Sequence, residues 1–309
     1  MKHTPQRRWI VFALFILLFV ASSTLLADEG DHRDSMAFFQ AFTLPRVWVS
    51  MIVGLMGLFL LLKGWVGKKV RLAGLGLALF LFGVLEGLHL GAVSEGMGMH
   101  PSPICMLEKP FVFLFSGSGV PVFFFGMIVA IAILQIVGNK LFCGWVCPVG
   151  ALQELLHKLP LKKFKVPFKV SNSVRIAFFA LFLGVLLVFK HSIYEYVNAF
   201  HFFHWDWYWM SMLILGVVMV ASLFLFRPFC YFFCPMGLFS WLLEHVSLFR
   251  VQKNDTDCGS CTYCIDHSPC PSVQAIVEKK QSRPDCHACG ECIDLCPNKN
   301  LSFTLRKKG

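Results

Sequence analysis

The feature that most constrains this chain is a succession of long apolar runs separated by short basic segments. The runs cover about Trp9–Ala27, Val47–Leu62, Leu72–Leu90, Phe111–Val137, Val174–Phe189 and Trp207–Phe226. About 18 or more apolar residues, wound as a helix, match the hydrocarbon thickness of a bilayer. Lipid offers no partner to backbone polar groups, so the expected fold is an α-helical multi-span bundle of five to six spans. Composition agrees: 56% of the 309 residues are hydrophobic and 33 are Phe, more than a water-facing surface accommodates. The first run follows Lys2, Arg7 and Arg8 and stops before Asp28, so residues 1–27 read equally as a first span or a signal peptide.

A net charge of +10 would suit nucleic acid, but its placement excludes that partner. The cations gather between apolar runs, where they act as topology signals. One group is Lys63, Lys68, Lys69 and Arg71; another is Lys140, Lys158, Lys162, Lys163, Lys165, Lys169 and Arg175. The loops around 28–46, 91–110 and 190–206 are poorer in Lys and Arg. The alternation predicts a multi-pass protein of the inner cell membrane with its basic loops and C-terminal region in the cytoplasm. Four parts follow: residues 1–27; 28–110, holding spans two and three with external loops; 111–244, the membrane core; and 245–309, polar and rich in Cys.

Thirteen cysteines carry the chemistry. One run is Cys258-x2-Cys261-x2-Cys264-x5-Cys270-Pro271, and a second is Cys286-x2-Cys289-x2-Cys292-x3-Cys296-Pro297. Two-residue gaps let a tight loop wrap three corners of an iron–sulfur cube, and the fourth Cys, before Pro, ligates the other cluster. The expected ligand sets are therefore Cys258, Cys261, Cys264 and Cys296 for one [4Fe–4S] cluster, and Cys286, Cys289, Cys292 and Cys270 for the second. Zinc also accepts Cys-x2-Cys pairs, but it does not explain two triads each closed by Cys-Pro. A domain of about 60 residues buries little apolar surface, so bound metal contributes to its stability. The expected form is a small α+β two-cluster ferredoxin-like domain. No Cys-x-x-Cys-His, Walker loop or dinucleotide fingerprint is present.

Two further segments match each other. Phe142-Cys143-Gly144-Trp145-Val146-Cys147-Pro148-Val149-Gly150 parallels Phe229-Cys230-Tyr231-Phe232-Phe233-Cys234-Pro235-Met236-Gly237. Cysteines at i and i+4 share one face if the chain there is helical, and Pro suits the first turn of a following helix. The duplication predicts pseudo-twofold halves. Three readings stay open for Cys143, Cys147, Cys230 and Cys234: a shared metal or third iron–sulfur site, redox-active or metal-transferring thiols, or small residues packing the turns.

Taken with the C-terminal cysteine runs, these motifs resemble the NapH/NosR/CcoG group of membrane polyferredoxins over roughly residues 110–300, closest to its NapH-like members. The resemblance implies electron transfer between quinol and a periplasmic or membrane reductase system, as the electron-transfer subunit of a quinol dehydrogenase rather than a stand-alone enzyme. NosR-like members add a large periplasmic flavin domain, for which the outside loops here are too short. CcoG-like members act in copper handling, and the alternative function is a maturation factor that reduces copper for insertion. A third reading makes the clusters structural staples or a redox sensor.

Quinol oxidation needs a proton acceptor beside an apolar pocket. Glu86 and His89, late in one run, form the best-placed pair; His191, Glu195, His201, His204 and Asp206 are further candidates at the outer boundary. An interfacial belt with Trp205, Trp207 and Trp209 accounts for the same residues without function. Gly96-Met97-Gly98-Met99-His100-Pro101, with Cys105 and Met106, offers soft donors suited to Cu(I) or simply forms a loop.

Overall fold

The computed structural model describes residues 33–85, 102–117, 119–203, 209–254, 261–278 and 285–306, with Leu88, Met97 and Cys258. The chain is mostly helical. Helix α1 (Arg33–Thr43) occupies a segment expected as an external loop, and α2 (Pro45–Lys63) follows directly. The close fit of α1 on the bundle explains its order: a Cβ at Gly126 would lie 2.7 Å from the Phe38 carbonyl oxygen. Helix α3 (Lys68–Leu79) runs on through a wide turn at Phe80–Val84.

The expected run Phe111–Val137 is two helices, α4 (Pro103–Ser116) and α5 (Val122–Gly138). Gly117 closes α4 in the left-handed region at φ 75°, a conformation open to glycine at no steric cost, and Pro121 caps α5. Then come α6 (Pro148–His157), α7 (Phe168–Phe189), the short α8 (Tyr194–Val197), α9 (Trp209–Phe224), α10 (Pro228–Phe232) and α11 (Pro235–Glu244). Helix α6 of the first repeat packs on α9 of the second, and α11 of the second packs on α5 of the first. The halves are thus interlocked rather than side by side.

Two helices, α2 and α7, are long and apolar enough to cross a membrane, with mean hydropathy 1.9 and 2.1; α5 and α9 are apolar but shorter. In α7 only 17% of the apolar window is buried, and Leu181, Leu187, Val188 and Phe189 face outward. A core helix of a soluble protein would bury that surface, whereas a lipid-facing helix exposes it.

The C-terminal part contains β1 (Phe249–Lys253) and β2 (Leu301–Leu305), an antiparallel pair with Val251 opposite Phe303, both buried. Helices α12 (Tyr263–His267), α13 (Val273–Val277) and α14 (Glu291–Asp294) are single turns. This part is joined to the bundle by backbone: Leu248 N–H donates to the Ile136 carbonyl at 2.7 Å.

Candidate metal centre

The two matched segments fold alike, and not as continuous helices. Phe142–Val146 is a wide helical turn and Pro228–Phe232 a short helix; Cys147 and Cys234 then turn extended, with ψ 117° and 118°. Each second cysteine is the N-cap of α6 or α11, with Pro148 or Pro235 in the first turn. The proline reading therefore holds, and the shared helical face of i and i+4 gives way to a tight bend. The bend brings the pairs together: Cys234 has Cys230, Cys143 and Cys147 as electrostatic neighbours, and Cys147 has Cys230 and Cys143. Amides reach the first cysteine of each pair. Gln135 Nε2 donates to Cys143 Sγ at 3.1 Å, and Gln153 Nε2 to Cys230 Sγ at 3.6 Å.

Buried charges frame these turns. Arg71 grips Glu154 through Nε and Nη2 at 2.8 and 2.9 Å, and Arg227 reaches the same carboxylate through Nε at 3.1 Å. The two guanidiniums also hold the first turn, Arg227 donating to the Cys143 carbonyl at 2.6 Å and Arg71 to that of Gly144 at 2.9 Å. Burial would raise the Glu154 carboxyl, but Arg71 and Arg227 outweigh it and hold it down at about 2. Lys140 and Arg227 occupy equivalent positions before the two motifs, both buried and both left-handed, at φ 63° and 50°. Such a conformation costs about 1–2 kcal/mol for a non-glycine residue, so packing and ion pairs hold it.

Arg71, Lys140 and Arg175, expected as surface topology charges, are instead 1–2% exposed. Lys140 Nζ and Arg175 Nη1 converge on Asp285 Oδ1 at 3.1 and 2.9 Å, and Asp285 immediately precedes Cys286. Paired with carboxylates, these cations can sit in the interior. Lys63, Lys68, Lys69, Lys158, Lys162, Lys163 and Lys165 remain exposed.

The C-terminal cysteines fall into two sets. Cys264 has Cys296, Cys258 and Cys261 as electrostatic neighbours; Cys292 has Cys289, Cys286 and Cys270, and then Cys264. Burial pushes the thiols of Cys270, Cys286 and Cys289 each up to about 12. A thiolate at such a position needs a metal's charge beside it. Among the described residues, no three His, Cys, Asp or Glu side chains converge tightly enough to hold a single ion. A single tetrahedral zinc draws four sulfurs onto one atom at about 2.3 Å, whereas a cubane spreads its ligands over four irons. Two all-thiol sets of four, each drawing on both cysteine runs, fit the ligand demand of a cubane.

The loop Asp285–Cys289 lies directly on the repeat turns. Trp145 Nε1 donates to the Ala288 carbonyl at 3.0 Å, and Asn139 Nδ2 to that of Cys286 at 3.4 Å. Gly144 permits this approach, because a Cβ there would stand 2.1 Å from the His287 carbonyl oxygen. Arg227 lies within electrostatic reach of both Cys230 and Cys289. Arg227 and the Asp285–Cys289 loop thus join the repeat turns to the Cys286 set, and Cys292 of that set has Cys264 of the other as an electrostatic neighbour.

Glu86, His89, His204 and Asp206 lie outside the described residues, as do Met99 and His100. His191 and Glu195 form an exposed pair at 4.0 Å, and Met97 and Met106 are buried. Sequence reasoning missed Gln135, Gln153, Glu154, Arg227 and Asp285. One signal was available for Arg227: a cation stands at the same register before both cysteine motifs.

Comparison with known proteins gives this geometry a class. The 4Fe-4S binding domain family matches residues 119–167 and 207–254, the two segments that carry Cys143/Cys147 and Cys230/Cys234. The chain is similar to the methylamine utilization ferredoxin-type protein MauN of Paracoccus denitrificans, 30% identical over 65% of this chain and 74% of the relative. It is also similar to the putative electron transport protein YccM of Escherichia coli, 26% identical over 46% of this chain and 45% of the relative. The regulatory protein NosR of Pseudomonas aeruginosa is 30% identical over 43% of this chain and 20% of the relative. The chain spans about half the length of several of the curated relatives it matches. No solved structure matches. Helical fold, cysteine sets and relatives together define an iron–sulfur electron-transport protein. The chain belongs to the NapH/NosR-type family of membrane ferredoxin-like proteins.

Proposed function

We propose that this protein passes electrons between a membrane quinol and a redox partner through three iron–sulfur centres. Cys143, Cys147, Cys230 and Cys234 hold the first, Cys286, Cys289, Cys292 and Cys270 the second, and Cys258, Cys261, Cys264 and Cys296 the third. A bound cluster supplies one-electron carriage, with a potential set by hydrogen bonds and exposure. The observation that carries the reading is the seating of the Asp285–Cys289 loop on the repeat turns, which supports a route from the repeat cysteines to the Cys286 set. The match of the 4Fe-4S family to both repeats favours a cluster over a packing role there.

A cleft between α2, α4 and α5 favours a lipophilic donor there. Met51, Met106, Met127 and Phe142 line it with Arg46 and Ser50, so an apolar wall carries a few polar groups. Phe142, in that lining, directly precedes Cys143, which supports a donor site near the first centre. Oxidation of one quinol releases two electrons and two protons, and the electrons leave singly along the path. The exposed lysines on α3 and in the segment before α7 favour a multi-pass arrangement with the C-terminal part in the cytoplasm. Lys165 Nζ ties that part down through the Ile265 and Asp266 carbonyls, at 2.6 and 3.0 Å.

The test is reduction of the anaerobically purified protein, followed by EPR. A quinol analogue should reduce the centres; reduction by a soluble ferredoxin alone would reverse the direction, and reduction by neither would remove the function.

A further inference from the structure

Resting on the reading of the four repeat cysteines as a redox centre, we propose that Glu108 takes up a proton when that centre gains an electron, with Tyr194 as the positioning residue between them. Glu108 is 2% exposed in α4, and its Oε1 has no hydrogen-bond partner among the described residues. Tyr194 is 1% exposed, and among the described residues its hydroxyl has none either. Two buried polar atoms without partners in one apolar bundle carry a desolvation cost that structure alone does not explain. An ionisable side chain among apolar helices is a functional candidate.

The surroundings point to proton exchange. The Tyr194 ring packs on Phe178 and Phe182 of α7 at 5.5 and 4.9 Å, and Phe178 packs on Phe233 at 5.2 Å, the residue before Cys234. Tyr194 is within electrostatic reach of both Cys234 and Glu108. On its other side Glu108 bonds the Ser192 side chain and faces Lys109, Glu195 and His191. His191 and Glu195 are about half exposed, so the cluster ends in water. Cys105, one turn earlier on α4, completes it, with Asn198 Nδ2 donating to its sulfur at 3.6 Å. Helix α5 has no charged residue, Arg175 of α7 is bound to Asp285, and Glu244 of α11 faces Lys140. Lys190, at the end of α7, bonds the Phe115 carbonyl.

The step balances: one electron, supplied by the quinol, enters the thiol-held centre, and one proton from the His191–Glu195 side joins the Glu108 carboxylate. The net charge of the bundle is unchanged, which matters where dielectric screening is weak.

The experiment is a potentiometric titration of the full-length protein at several pH values, with the repeat-centre EPR signal identified by its loss in Cys143→Ser. Wild type should show a potential falling by up to 59 mV per pH unit, the one-electron equivalent of tenfold in proton activity. Glu108→Gln should flatten that slope and Tyr194→Phe weaken it, while the two C-terminal centres keep their potentials. Glu108→Asp, which retains an acid, should keep the slope. A flat wild type, an unchanged slope in Glu108→Gln, or a flat Glu108→Asp overturns the proposal and leaves the repeat centre standing. Absence of any signal lost in Cys143→Ser overturns the underlying reading and the proposal with it.

Discussion

The two repeat turns share a backbone and differ in what secures them. In both, an extended cysteine caps a helix whose first turn holds Pro, and a buried left-handed cation precedes the motif. The first turn is tied from within the bundle: Arg71 and Arg227 clamp Glu154 and hold the carbonyls of Cys143 and Gly144. The second turn is held by different contacts: Gln153 Oε1 accepts from Phe229 N–H at 2.9 Å, Arg175 stands 3.5 Å from the Cys230 carbonyl, and Tyr231 donates to the Asp285 carbonyl at 3.4 Å. Duplication supplied the bend. Divergence at Trp145 against Phe232, and Glu154 against Trp241, gave the first turn both the ion-pair anchor and the bond to Ala288.

Removing the anchor's charge should break this asymmetry most. Glu154→Gln leaves Arg71 and Arg227 buried without a counter-charge, and breaking such a pair costs about 3–5 kcal/mol. Loss of folded, cluster-loaded protein, read as thermal stability and iron content, is the expected result.

Acid should find the same carboxylate. Its folded pKa of about 2 lies below the reference value of 4.5, so its contribution is fully present above pH 4.5 and is lost as pH falls toward 2. The full difference amounts to about 3 kcal/mol. Unfolding free energies measured between pH 5 and 3 should decline in wild type; an equal decline in Glu154→Gln would move the effect elsewhere.

In the Asp285 loop, Asp285→Asn should leave Lys140 and Arg175 underpaired and loosen the Cys286 set, at about 1–3 kcal/mol. Faster loss of iron to a chelator from that set, with the repeat set unaffected, would show that the two regions are secured separately. The smallest expected change is Trp145→Phe, which deletes one bond to Ala288, worth about 1 kcal/mol. Its measurable trace is greater hydrogen exchange in residues 286–289.

Local chemistry was legible in the sequence wherever spacing alone dictates it. The cysteine runs, the prolines opening α6 and α11, and the duplication all follow from short-range pattern. The break between α4 and α5 was also written there, as Gly117 and Pro121, but the apolar residues on both sides masked it. The charge frame was not legible, because pattern does not say where a lysine points. Lys140 and Arg175 look like any interfacial cation until the fold sets Asp285 between them. Glu108 was hidden for the opposite reason: it stands in a loop-like stretch that the structure folds into α4.

The most direct test of the central claim is iron and acid-labile sulfide content of the anaerobically purified full-length protein and its Cys143→Ser and Cys230→Ser variants. Three centres predict about twelve irons per chain, falling to about eight in either variant. About eight irons in wild type, unchanged by both substitutions, would contradict a cluster at the repeat turns.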